Sequence, residues 1–115
     1  MVKKKILLID DDRDFGLLFT NFFIGKDFNV LLAYNLREGM EALEQFRPEF
    51  IFLDNGLPDG QGWAKADFIL AEYPLAQLNL ISAWTADSPS GKARILEKPI
   101  NMTDLMACFQ PGSGC

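Results

Sequence analysis

The sequence predicts a doubly wound α/β domain, a five-stranded parallel sheet with helices on its faces. Three observations carry this. Short, nearly continuous apolar runs recur along the chain, segments with helical apolar spacing separate them, and capping or breaking residues mark the joins. A continuous apolar run is the pattern of a strand buried on both faces, as in a parallel sheet covered by crossover helices. The chain has 115 residues, 49% hydrophobic and 23% charged, which fits one compact domain with a single core and is too apolar for disorder. No apolar run approaches the ~18 residues of a bilayer span.

The first strand is Ile6-Leu7-Leu8-Ile9. Phe15, Leu18, Phe19 and Phe22 then recur at helical spacing and predict a helix with that stripe inward. Val30-Leu31-Leu32-Ala33 is the second strand, and Asn35-Leu36-Arg37-Glu38 reads as a capping box opening a helix that ends before Pro48. Phe50-Ile51-Phe52-Leu53 is the third strand, followed by a helix over residues 63–73 that stops at Pro74. Leu78-Asn79-Leu80-Ile81 is the fourth. Its amide sits in a run that should be buried and needs partners, either water admitted by a thin cover or a neighbouring loop. Ala93-Arg94-Ile95-Leu96 is a weaker fifth strand, and Asn101 caps a last helix running to about Phe109. Only the ten residues 83–92 join the fourth and fifth strands, and they include Ser88-Pro89-Ser90-Gly91. The helix expected there is therefore missing or reduced to a turn. Residues 1–110 form the domain and 111–115 a flexible tail.

Sixteen acidic against eleven basic residues give a net charge of −5, and there is no His. An acidic chain does not hold nucleic acid by neutralising phosphates. Without His, the commonest general base and zinc ligand are lost. Cys108 and Cys115, both near the C-terminus, form neither a metal-ligand set nor a disulfide framework. The basic start Met1-Val2-Lys3-Lys4-Lys5 precedes an apolar run too short for a signal peptide, so a cytoplasmic location is expected.

In an open parallel sheet, ligands bind beyond the carboxyl ends of the strands. Those ends carry Asp10-Asp11-Asp12, Asp54, Ser82 and Lys98. Clustered carboxylates without imidazole or thiolate favour a hard cation such as Mg²⁺. Lys98 can neutralise a phosphoryl group, Ser82 can hydrogen-bond it, and a remaining carboxylate can accept it as an acyl phosphate. Each residue also has an ordinary reading. Asp12 and Asp14 read as a helix cap and dipole-favoured charges. Asp54-Asn55-Gly56 alone is a turn, a lone Ser is structural, and a lone Lys is solvated. Their coincidence at one sheet edge favours a site.

Four stretches resemble the receiver domains of two-component response regulators: Ile6-Leu7-Leu8-Ile9-Asp10-Asp11, Asp54-Asn55-Gly56-Leu57-Pro58-Asp59-Gly60-Gln61-Gly62, Ile81-Ser82-Ala83 and Leu96-Glu97-Lys98-Pro99. The resemblance covers the chain to about Phe109. It implies a CheY-like, flavodoxin-like fold with strand order 2-1-3-4-5. It also implies that Asp54 is the phosphoacceptor, served by a sensor histidine kinase or phosphotransfer protein. Asp11, Asp54 and the Gly56 carbonyl would bind Mg²⁺ (or Mn²⁺), with Asp10 acting mainly through water. Ser82 would bond the phosphoryl group, Lys98 would pair with it, and the Lys98-Pro99 bond would be cis.

The chain departs from that pattern in two places. Residues 83–92 leave no room for the helix that contributes to the family's output face, and Ile95 stands where a switching Tyr or Phe is usual. Trp84 is read as filler for the space of the missing helix ahead of a signalling role, and its fluorescence is expected to report events at Ser82. Leu17 and Ile24 lie off the first helix's stripe, which makes that helix either a docking face for a kinase or a closer-packed element. The expected function is a stand-alone signalling switch or phosphorelay component whose catalysis is limited to its own phosphorylation and dephosphorylation. It would contact neither nucleic acid nor membrane directly. The alternatives are a protein-binding module indifferent to phosphorylation and, behind it, a Mg²⁺-dependent phosphatase acting on outside substrates.

Overall fold

The computed structural model describes residues 3–82 and 93–109. The strands are β1 (Lys4–Ile9), β2 (Phe28–Ala33), β3 (Phe50–Asp54), β4 (Gln77–Ser82) and β5 (Arg94–Glu97). The helices are α1 (Arg13–Phe22), α2 (Leu36–Phe46), α3 (Ala66–Glu72) and α4 (Met102–Ala107). All neighbouring strand pairs in the five-stranded sheet are parallel, in the order β2-β1-β3-β4-β5. This is the expected 2-1-3-4-5 order, and it reverses between β1 and β3.

Alternate residues of the central strands feed two cores, one on each face of the sheet, where the sequence suggests one. Leu7, Ile9, Ile51, Leu53, Leu78 and Leu80 join Leu43 and Ile69 on the α2–α3 side. Ile6, Leu8, Phe52 and Ile81 join Phe19, Phe23 and Leu105 on the α1–α4 side. Both sides of β1, β3 and β4 are thus buried, each large side chain contributing roughly 1.5–3 kcal/mol. The edge strand β2 differs from expectation. Its burial alternates along the strand, because among the described residues β1 is its only neighbour in the sheet and Asn29 and Leu31 face outward.

Helix α1 also departs from its predicted stripe. Phe15, Phe19 and Phe23, the last just past the helix, follow one another at intervals of four and pack as tilted rings, with Phe19 meeting Phe52 edge-on. Leu18 falls beside that line and is 68% exposed rather than inward. Leu17 and Ile24, at 61% and 70%, complete an apolar outer face, so closer packing against the last helix is not what covers them.

The capping predictions for α2 and α4 hold. Asn35 Oδ1 accepts from Glu38 N at 2.8 Å while Glu38 Oε1 accepts from Tyr34 N at 3.0 Å. Asn101 Oδ1 accepts from Asp104 N at 2.8 Å, and α4 ends at Ala107, two residues before Phe109. The third helical segment opens differently, as a 3₁₀ turn over Gly62–Lys65. There the buried Trp63 is tied by its indole N–H to Leu53 O at 3.3 Å and by its backbone N–H to Asn55 Oδ1 at 3.1 Å. Asn79 is fully buried, and its side chain finds partners within the protein. Its Nδ2 donates to Ile51 O at 3.2 Å, and its Oδ1 accepts from Gln77 Nε2 at 3.2 Å. Gln77 Nε2 also donates to Cys108 O at 2.8 Å. The short crossover with Trp84 and the C-terminal tail lie outside the described residues. Among the described residues, no helix is long and apolar enough to cross a membrane.

Candidate functional site

The carboxyl ends of β1, β3, β4 and β5 deliver the candidate residues to one edge. Asp10 N donates to Ala33 O at 3.0 Å, continuing the β1–β2 ladder by one residue and fixing where its side chain starts. Asp10 Oδ1 accepts from Asp12 N at 3.0 Å, and Asp12 Oδ1 accepts from Phe15 N at 3.1 Å. Asp12 is therefore the cap of α1, as its position predicts, and Asp14 lies in the first turn. Asp11 is exposed. Asp54 ends β3 and is buried. Carboxylate oxygens of Asp10, Asp11 and Asp54 lie within 4.8 Å of one another.

Burial pushes the Asp54 carboxyl up from 3.8 to about 6, and the Asp10 charge adds to the rise while Lys98 opposes it. At neutral pH the group is mainly ionised, with little margin. Crowded carboxylates of this kind are poised to take a cation.

Ser82 ends β4 and is buried. Its carbonyl accepts from Lys98 N at 2.9 Å, which sets the two residues side by side at adjacent strand ends. The Lys98 ammonium lies 2.7 Å from Asp10 Oδ2 and 4.9 Å from the centroid of the Phe15 ring. Burial alone would lower the Lys98 pKa. The bond to Asp10 and the charges of Asp10 and Asp54 outweigh it and hold the ammonium above its ordinary value. The Lys98-Pro99 peptide is cis, as expected.

Asn55 organises the loop after Asp54. Its carbonyl accepts from Leu57 N at 3.1 Å and from Gly62 N at 3.0 Å. Between these points Gly56–Leu57 pairs antiparallel with Gly60–Gln61, leaving Gly56 exposed directly beyond Asp54. Gly62 is required by close approach, since a Cβ there would lie 2.0 Å from Asp54 O. At the tip, Asp59 accepts from Leu36 N at 2.7 Å and Arg37 N at 2.9 Å. These two bonds hold its carboxyl below the usual range.

The structure thus gathers Asp10, Asp11, Asp54, Ser82, Lys98 and Gly56 at one edge. It adds two features absent from the sequence reading. Asp59 caps α2 from a distant loop, and Phe15 is a partner of Lys98. Only the aromatic character of Phe15 was visible in the sequence.

The response regulator receiver domain family matches residues 6–110. The chain belongs to that family. This receiver is 28% identical to a solved two-component response regulator from Clostridium difficile, with a TM-score of 0.83 and 93% of each chain covered. A response regulator from Burkholderia pseudomallei, solved with a phosphorylated aspartic acid, a calcium ion and citrate, gives a TM-score of 0.85 at 21% identity. That comparison covers 96% of this chain and 69% of the other. The transcriptional regulatory protein DpiA of Escherichia coli K12 is 32% identical over 72 residues, covering 60% of this receiver and 32% of DpiA. The chain spans about a third of the length of the curated relatives it matches.

Proposed function

We propose that this receiver accepts a phosphoryl group on Asp54 from a sensor histidine kinase or phosphotransfer protein and acts as a signalling switch or relay. The observation that carries this is the clustering of Asp54 with Asp10 and Asp11 within 4.8 Å, with the Lys98 ammonium beside Asp10. The donor set fits a hard divalent cation, being carboxylates and a backbone carbonyl without nitrogen or sulfur. Asp10, Asp11, Asp54 and the Gly56 carbonyl are the groups that would hold Mg²⁺ or Mn²⁺. Bound there, the ion would offset negative charge on the phosphoryl oxygens.

An Asp54 carboxylate oxygen attacks the donor's phosphorus, and an O–P bond forms. The P–N bond to the donor imidazole breaks, its electron pair staying on nitrogen. Lys98 exchanges Asp10 for a phosphoryl oxygen, and the Ser82 hydroxyl donates to another. The switch resets when water attacks phosphorus and the O–P bond to Asp54 breaks, releasing inorganic phosphate. All of this chemistry is done by the receiver on itself. The phosphorylated aspartic acid in the Burkholderia pseudomallei regulator is consistent with this reading.

One residue favours a second reading, a protein-binding module indifferent to phosphorylation. Ile95 packs against the α2–α3 core and offers no ring to move on phosphorylation. Incubation with a small acyl phosphate, read by intact mass, separates the two. The first reading expects a Mg²⁺-dependent gain of one phosphoryl group that Asp54→Asn abolishes. No gain by the wild type favours the second.

A further inference from the structure

We propose that Phe15 is a positioning residue whose ring face holds the Lys98 ammonium over the carboxylates, ready for a phosphoryl group arriving on Asp54. This rests on the phosphoacceptor reading above. Lysine carries a point charge on a flexible four-carbon stem, so a single ion pair to Asp10 fixes one distance and leaves its direction free. The Phe15 ring supplies the second constraint, with Nζ 4.9 Å from its centroid. A cation within about 6 Å of an aromatic face is attracted by the ring quadrupole.

The ring is itself held in place. Its centroid is 5.9 Å from that of Phe19, which lies 5.1 Å from both Phe23 and Phe52. The backbone of Phe15 is bonded to Asp12, whose own N–H is bonded to Asp10. One turn of chain therefore sets both partners of the ammonium. The two partners differ in kind. Asp10 competes for the cation with full charge, whereas the ring binds it weakly and from the side. A ring can keep the ammonium aimed while the ion pair is exchanged for a phosphoryl oxygen.

The test replaces Phe15 with phenylalanines bearing one, two and three ring fluorines, which drain charge from the ring face with little change of shape. Phe15→Leu and Phe15→Tyr are made alongside. The rate of Mg²⁺-dependent mass gain from acetyl phosphate is the readout. The expected result is a stepwise fall across the series, reaching about threefold to tenfold with three fluorines and in Phe15→Leu. Phe15→Tyr stays near wild type, and the series is flat in a Lys98→Met background. A flat series in protein that otherwise phosphorylates normally overturns the proposal and leaves the phosphoacceptor reading standing. A wild type that gains no phosphoryl group overturns both.

Discussion

Lys98 and Asp10 form an ion pair of 2.7 Å in which the carboxylate side chain is wholly buried and the lysine side chain is 21% exposed. The pair bridges the ends of β1 and β5, which are separated in the sheet by β3 and β4. It places the cation among the carboxylates but on Asp10, so an ammonium that meets a phosphoryl group on Asp54 must first let go of its present partner. Removing one member leaves a buried charge uncompensated. Lys98→Met should lower stability by about 1–3 kcal/mol, the lower end reflecting the access of water to lysine. Asp10→Asn combined with Lys98→Met should recover part of that loss. Urea denaturation of the two single variants, the double variant and wild type measures the coupling, and strictly additive losses contradict the pairing.

The raised Asp54 carboxyl makes stability depend on pH in a definite direction. The folded protein holds this proton more tightly than the unfolded chain, because its pKa rises from 3.8 to about 6. Without divalent cations, this group's contribution to stability therefore falls as pH rises from about 4 to about 6, and the cost persists above that range. After allowance for solvent screening, the cost is on the order of 1–2 kcal/mol. Asp54→Asn removes it, so the variant should exceed wild type in denaturant midpoint at pH 7 and lose that advantage near pH 4. The same proton competes with a cation, so the affinity for Mg²⁺ should drop as pH falls through about 6.

Gly62 ties loop geometry to the position of Asp54. A methyl group there would meet Asp54 O at 2.0 Å and the Leu53 side chain at 2.9 Å. Backbone cannot yield as a flexible side chain does, so Gly62→Ala should cost about 1–3 kcal/mol. It should also slow phosphoryl acceptance by displacing the end of β3. Thermal denaturation and acyl phosphate kinetics of the same preparation check both, and an unchanged acceptance rate argues against the positional coupling.

Much of this arrangement was legible in the chain itself. Ile6-Leu7-Leu8-Ile9 and Phe50-Ile51-Phe52-Leu53 read as strands because both faces of β1 and β3 are buried, which leaves no polar alternation to obscure them. The same rule overreached for Val30-Leu31-Leu32-Ala33, because a local pattern does not reveal that β2 is at an edge. Leu18 was misplaced for a related reason. Helical spacing admits intervals of three or four, and only the tilted ring contacts of Phe15, Phe19 and Phe23 decide between them. The acidic residues and Lys98 could be assigned to one edge from topology alone. Their pairing could not, since whether an ammonium rests on Asp10 or on Asp54 depends on side-chain geometry. Asp59 on the start of α2 and Gln77 on the carbonyl of Cys108 are contacts across long chain separations, with no local signature.

The outer face of α1 gives a prediction about partners. Leu17 and Leu18 on the helix and Ile24 in the turn just past it are exposed, and the helix carries no basic residue after Arg13. If a kinase docks there, Leu17→Glu should reduce phosphotransfer from the kinase about tenfold or more while leaving acceptance from acetyl phosphate unchanged. Equal losses with both donors would point to damage at Asp54 instead.

Phosphoacceptance by Asp54 is tested most directly by locating the phosphorus. Reduction with borohydride converts an aspartyl phosphate to homoserine, and peptide mapping then reports which carboxylate was modified. After treatment with acetyl phosphate and Mg²⁺, homoserine is expected at position 54 alone. Modification at Asp10, Asp11 or Asp12, or none at any aspartate, would contradict it.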